Sequence, residues 1–88
     1  MKRNVIFKGS SFTDFNEWQV KNPKVFRRIA ELIEEIRREP FIGKGNPEPL
    51  KHNLSGCWSR RITDEHRLVY TTNKTEVNII SCKYHYPD

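Results

Sequence analysis

Three kinds of side chain in this chain could together move protons at a phosphodiester: a carboxylate, a set of cations and an imidazole. Glu48 stands between Pro47 and Pro49. The two prolines push it toward an extended backbone, and a rigidly presented carboxylate suits a general base, because geometry is required before pKa matters. A solvated loop glutamate satisfies the same pattern, and the residues alone leave both readings open. Lys51, Arg60, Arg61 and Arg67 follow within twenty positions. Guanidinium groups bind phosphate through paired hydrogen bonds and stabilise charge that grows at a reacting phosphate. The competing use is salt bridging with Asp64, Glu65 and Glu76. That use is expected for Arg60, and phosphate binding for Arg61 and Arg67, which share strand parity with polar positions. His85 lies near the chain end between Tyr84 and Tyr86. An imidazole titrates near neutral pH and can protonate a leaving oxygen. Aromatic neighbours can stack on unpaired bases, and they serve equally as ordinary packing residues.

Other chemistries find less support. Cys57, Cys82, His66 and His85 lack the close paired spacing of structural zinc sites, and no carboxylate cluster suggests magnesium. No metal and no cofactor are expected. Gly43-Lys44-Gly45 has no Walker spacing and precedes no helix. No elbow-like serine motif supports a Ser/His/Asp triad. His52 and His66 fall in or beside turns and read as structural or surface residues. The two cysteines carry no paired motif and are expected as free thiols.

Elements that could position these groups can be read from the pattern. A short strand is expected over residues 4–8 and a helix over 12–21, where Phe12, Phe15 and Trp18 recur at near-helical spacing. Ser10 and Ser11 offer capping hydroxyls, with Asp14 three residues past Ser11. Val25, Ile29, Leu32, Ile33 and Ile36 form an apolar stripe of period near 3.6, which predicts a helix over 23–39 opened by Pro23 and ended by Pro40. Residues 41–49 read as loop. Strands are expected over 50–54, 57–63, 67–72 and 77–84, joined by turns at Ser55-Gly56, Asp64-Glu65 and Asn73-Lys74. Alternation puts Leu68 and Tyr70 on one face, and likewise Ile80 and Cys82. Arg60 shares parity with Trp58 and Ile62, which demands a twist or bulge in its strand. The expectation is an α+β fold: two N-terminal helices on one face of a small, curved, mainly antiparallel sheet whose other face is open and charged.

The chain has 88 residues, 31% charged and 35% hydrophobic, with a formal charge of +5. One domain over residues 1–88 with a modest core is expected. A positive field on so small a body favours polyanionic partners, though the same charge also serves solubility. No apolar run approaches the ~20 residues that span a bilayer. Val5-Ile6-Phe7 is too short for a signal-peptide core, so a cytoplasmic location and no membrane association are expected.

The strings Glu48-Pro49-Leu50-Lys51, Trp58-Ser59-Arg60-Arg61-Ile62, Glu65-His66-Arg67-Leu68-Val69-Tyr70 and the terminal Lys83-Tyr84-His85-Tyr86 resemble the YoeB family of toxins, part of the RelE-like group. The resemblance covers nearly the whole chain. It implies a RelE-like, microbial-ribonuclease-like fold and ribosome-dependent cleavage of messenger RNA. It also implies neutralisation by a cognate, YefM-like antitoxin, with homodimerisation in prospect. Matched residue by residue, it implies Glu48, Arg67 and His85 as catalytic, with Lys51, Arg61 and Tyr86 binding substrate. The alternative is a basic RNA- or ribosome-binding module without catalysis, or a DNA-binding co-repressor that acts only with its antitoxin.

Overall fold

The computed structural model describes residues 2–85. Its elements are β1 (Asn4–Phe7), α1 (Ser11–Lys21), α2 (Pro23–Ile36), β2 (Glu48–Pro49), β3 (Trp58–Arg61), β4 (Arg67–Thr72) and β5 (Glu76–Ser81). Asn22 turns the chain between the helices. Its side-chain oxygen accepts the Val25 N–H at 3.4 Å, and Pro23 opens α2, where its missing N–H costs nothing. The stripe Val25, Ile29, Leu32, Ile33 and Ile36 is buried as its spacing predicts. Regular helix ends at Ile36, short of Glu39; the last turn tightens as Arg38 and Glu39 N–H both turn back to Glu35 O, and Arg37 Nε donates to Arg3 O at 2.7 Å. Ser10 and Ser11 do not cap α1 as expected. Ser10 Oγ bonds Asp14 Oδ2 instead, and buried Ser11 donates to Ile79 O at 3.0 Å, fastening α1 to β5.

The strands form one sheet in the order β1-β5-β4-β3-β2. β1 runs parallel to β5, with Val5 opposite Val77 and Phe7 opposite Ile79, and the other pairings are antiparallel. The two helices pack on one face. The α2 stripe meets Leu68, Tyr70, Val77, Ile79 and Cys82, with Phe15 and Trp18 of α1 against the same cluster. Burial pushes the Cys82 thiol up to about 12, and both cysteines are free.

Two expectations about the strands fail. Residues 50–54 do not form a strand. Leu50 is buried alone, His52 takes a left-handed φ of 58°, and His52–Leu54 coils into a 3-10 turn. The strand that pairs with β3 is the preceding Glu48–Pro49. Ile80 and Cys82 also fail to share a face. The β4–β5 register jumps from Tyr70↔Ile79 to Val69↔Ser81, leaving Ile80 as a bulged residue. A bulge reverses the alternation beyond it, so Cys82 joins Val77 and Ile79 in the core while Ile80 is exposed.

Arg60 is structural, but its partner is none of the acids expected. Its side chain is fully buried and its Nη1 bonds Glu35 Oε1 at 2.5 Å. It also donates to the carbonyls of Glu39 (2.5 Å), Ile42 (2.9 Å) and Lys44 (3.1 Å), and to the Tyr70 hydroxyl at 3.3 Å. Tyr70 in turn donates to Pro40 O at 2.5 Å. This answers the parity puzzle: the inward-facing cation collects the carbonyls of the 37–47 connection rather than forcing a bulge in β3. The connection needs glycine to approach so closely. Gly43 has φ +123°, and a Cβ there would fall on the Glu35 carboxylate.

The Lys44 N–H, donated at 2.6 Å, and then Arg60 hold the Glu35 carboxyl below the usual carboxylate range. A carboxyl with a depressed folded pKa adds stability above its unfolded pKa of about 4.3 and loses it as pH falls through the folded value. Glu35→Gln should therefore cost stability at pH 7, and the gap to wild type should narrow below about pH 4. Urea midpoints across pH check this, and a gap that stays constant down to pH 3 would refute it.

Candidate active site

Strand register gathers the candidate residues. Glu48 pairs with Ser59, Ser59 with Val69, and Arg61 with Arg67. Residues opposite one another in a ladder share a face. Core-facing Arg60 pairs with core-facing Leu68, so Glu48, Ser59, Arg61 and Arg67 lie on the face turned away from the helices. There Glu48, Arg61, Arg67 and His85 line one cleft of about 70 Å³, together with Gly45, Asn46 and Ser59. A space of this size takes a phosphate group and its surroundings, and a longer ligand would lie across its mouth.

Each wall has its own support. Glu48 starts from the proline-flanked backbone and is set by β2–β3 pairing. Arg61 is exposed, and its N–H donates to Gly45 O at 2.6 Å, which carries the ladder into the glycine loop. Gly45 has φ +80°, and a Cβ there would crowd the Arg61 backbone. Arg67 opens β4. Its Nη1 donates to the turn carbonyls of Thr63 (2.6 Å), Asp64 (3.1 Å) and His66 (3.1 Å). That bonding fixes the plane of the guanidinium through Nη1, one of the three nitrogens that carry its five donors. His85 Nε2 lies 2.8 Å from Asp64 O. A carbonyl only accepts, so this contact puts a proton on Nε2.

Of the six residues expected at the site, four line the cleft. Lys51 does not. It is exposed at the start of the 3-10 turn, a place set by the missing 50–54 strand. Tyr86 lies outside the described residues. Gly45, Asn46 and Ser59 were not anticipated. Ser59 was readable from alternation, being two residues from Arg61 on the same side of β3, whereas Gly45 and Asn46 reach the cleft only through the tertiary fold of their loop. Among the described residues, no group of three or more His, Cys, Asp or Glu side chains is placed to hold a metal ion. Among the same residues, no helix is long and apolar enough to cross a membrane.

The family is shown by comparison with known proteins. Residues 7–86 match the family model of the YoeB-like toxin of the bacterial type II toxin-antitoxin system, and the chain belongs to that family. Toxin YoeB of Escherichia coli (strain K12) is 52% identical over 82 residues, covering 93% of this chain and 98% of the relative. The YoeB dimer from Staphylococcus aureus superposes with a TM-score of 0.90 at 44% identity, covering 98% of this chain and 100% of that one. The toxin in the YoeB-YefM complex from Staphylococcus aureus gives 0.87 at 45% identity, with the same coverage.

Proposed function

We propose that this toxin is a metal-independent endoribonuclease that cuts messenger RNA on the ribosome, in the cytoplasm. Glu48 removes the proton from the ribose 2′-OH. The O2′ so formed attacks the adjacent phosphorus and the P–O5′ bond breaks. With Nε2–H kept on the Asp64 carbonyl, the doubly protonated His85 ring gives its Nδ1 proton to the departing O5′, and Arg67 with Arg61 stabilises the charge growing on the non-bridging oxygens. Lys51, outside the cleft, holds the backbone of the RNA beyond the scissile phosphate, and Tyr86 seats a base. The fragments carry a 2′,3′-cyclic phosphate, or its 3′-phosphate hydrolysis product, and a 5′-hydroxyl. The observation that supports this reading best is the shared cleft: an acid, two guanidiniums and an imidazole around a space fit for one phosphate.

A module that only binds RNA, or a co-repressor on DNA, would use the cations but gain nothing from Glu48, whose charge repels phosphate. Glu48→Ala should therefore leave ribosome and RNA binding within about 3-fold while lowering the cleavage rate by ~10²–10⁴-fold, the usual worth of a general base. End-group analysis of fragments from a ribosome-supplemented digest reads both the rate and the chemistry. RNA with a single 2′-deoxy residue at the cut site should resist, and cutting that persists there would end the mechanism. The partners that complete this reading are a YefM-like antitoxin, whose carboxylates would compete with RNA for the arginines, and a second copy of the chain.

A further inference from the structure

His66 lies outside the cleft, yet its ring is bound to the main chain next to His85. Its Nδ1 accepts the Tyr84 N–H at 2.7 Å. Tyr84 has φ +62°, a left-handed conformation that is unfavourable for a bulky L-residue and persists only where its surroundings enforce it. Both polar groups of its backbone are held. The N–H goes to His66, and Arg67 N–H donates to the Tyr84 carbonyl at 3.1 Å. The turn at Tyr84 brings the next residue back over the β3–β4 turn, where His85 Nε2 meets Asp64 O.

The acceptor is itself locked. The His66 side chain is only 12% exposed. Its ring sits edge-on to Trp18 at 4.8 Å and 5.6 Å from the Tyr84 ring. Trp18 is anchored in turn, its Nε1 donating to Cys82 O at 3.0 Å. The His66 backbone belongs to the same turn that grips Arg67, since its carbonyl accepts from the Ile62 and Thr63 N–H groups and from Arg67 Nη1. One residue thus joins the turn that holds the arginine to the tail that carries the imidazole.

We infer that His66 is a positioning residue: its Nδ1 holds Tyr84 in the left-handed turn that aims His85 into the cleft. A ring nitrogen that accepts carries no proton, so the neutral His66 ring bears its proton on Nε2. The inference rests on the reading of His85 as the acid, and a test can separate the two.

His66→Phe keeps a ring against Trp18 and removes the acceptor. His66→Asn removes the ring and puts Oδ1 where Nδ1 stood. A group valued only for packing predicts that Phe is the better substitute, whereas positioning predicts Asn. Below the melting temperature of either variant, Phe should lower kcat by about 10–100-fold with KM nearly unchanged, the scale of a misplaced catalytic group. Asn should stay within about 3-fold of wild type. The Tyr84 amide should exchange with solvent at least about 10-fold faster in the Phe variant and keep its protection in the Asn variant. Wild-type exchange and kcat in the Phe variant would overturn the inference, as would an Asn variant no better than Phe. In the unaltered protein, nitrogen NMR should find the His66 proton on Nε2, and a proton on Nδ1 would overturn the inference even if neither variant folds. His85→Ala is the separating arm. If it cleaves normally, the acid assignment has failed, while the amide data still decide whether His66 holds the tail.

Discussion

Arg67→Ala should lower the rate of messenger RNA cleavage by ~10²–10³-fold, the loss seen when one preorganised donor to a developing negative charge is removed. The expectation follows from how the side chain is held. Three turn carbonyls bind Nη1, so the guanidinium would meet a phosphate without first giving up freedom, and its delocalised charge lines the cleft. Arg67→Lys should recover little. An ammonium is a point donor and cannot bond the turn and a phosphate with separate, coplanar N–H groups. Because Arg67 also steadies the β3–β4 turn, the assay needs a folded variant and a saturating ribosome concentration, so that kcat is read apart from binding. A rate within 3-fold of wild type would remove Arg67 from the mechanism.

Arg60→Met should be the most damaging single change to stability. It removes the ion-pair partner of Glu35, which keeps the Lys44 N–H, and deprives three loop carbonyls of the donor that now satisfies them. Each polar group left unsatisfied costs about 1–3 kcal/mol, against a total of ~5–15 kcal/mol for a domain. At this chain length the melting temperature should fall by roughly 15 °C or more. Adding Glu35→Gln should cost little further, because the carboxylate has already lost its ion-pair partner. A fall of less than 5 °C in the single variant would show that water or a neighbour replaces the guanidinium. Cleavage should also weaken in any surviving Arg60→Met fraction, since the loop it pins supplies Gly45 and Asn46 to the cleft.

Local pattern revealed what local physics decides. The α2 stripe, the proline and glycine breaks and the alternation of Leu68 and Tyr70 are burial preferences written at short range, and they appear in the structure where spacing puts them. Pairing across long separations leaves no such trace. Nothing in Asn4–Phe7 shows that it lies parallel to β5, and nothing in Leu50-Lys51-His52-Asn53-Leu54 shows that its two leucines do not mark a strand. The Ile80 bulge defeats any reading by parity, because one extra residue inverts the faces after it. At the site, Glu48, Arg61 and Arg67 stood out by residue type. Their convergence depends on the β2–β3–β4 register, and the resemblance to known toxins pointed to it where periodicity could not. Arg60 is structural, as its inward parity implies, but its acid lies on no neighbouring strand or turn. Glu35, twenty-five positions upstream on a helix, comes within reach only when α2 docks.

Parallel pairing of β1 with β5 ties the first strand to the last. The helical hairpin made early in synthesis has no sheet to cover its apolar stripe until residues 67–81 have been added, and β1 has no neighbour until β5 exists. Long-range closures of this kind delay folding. The strand that completes the sheet ends at Ser81, only four residues before the His85 that lines the cleft, so the architecture and the proposed chemistry are finished by one short stretch of chain.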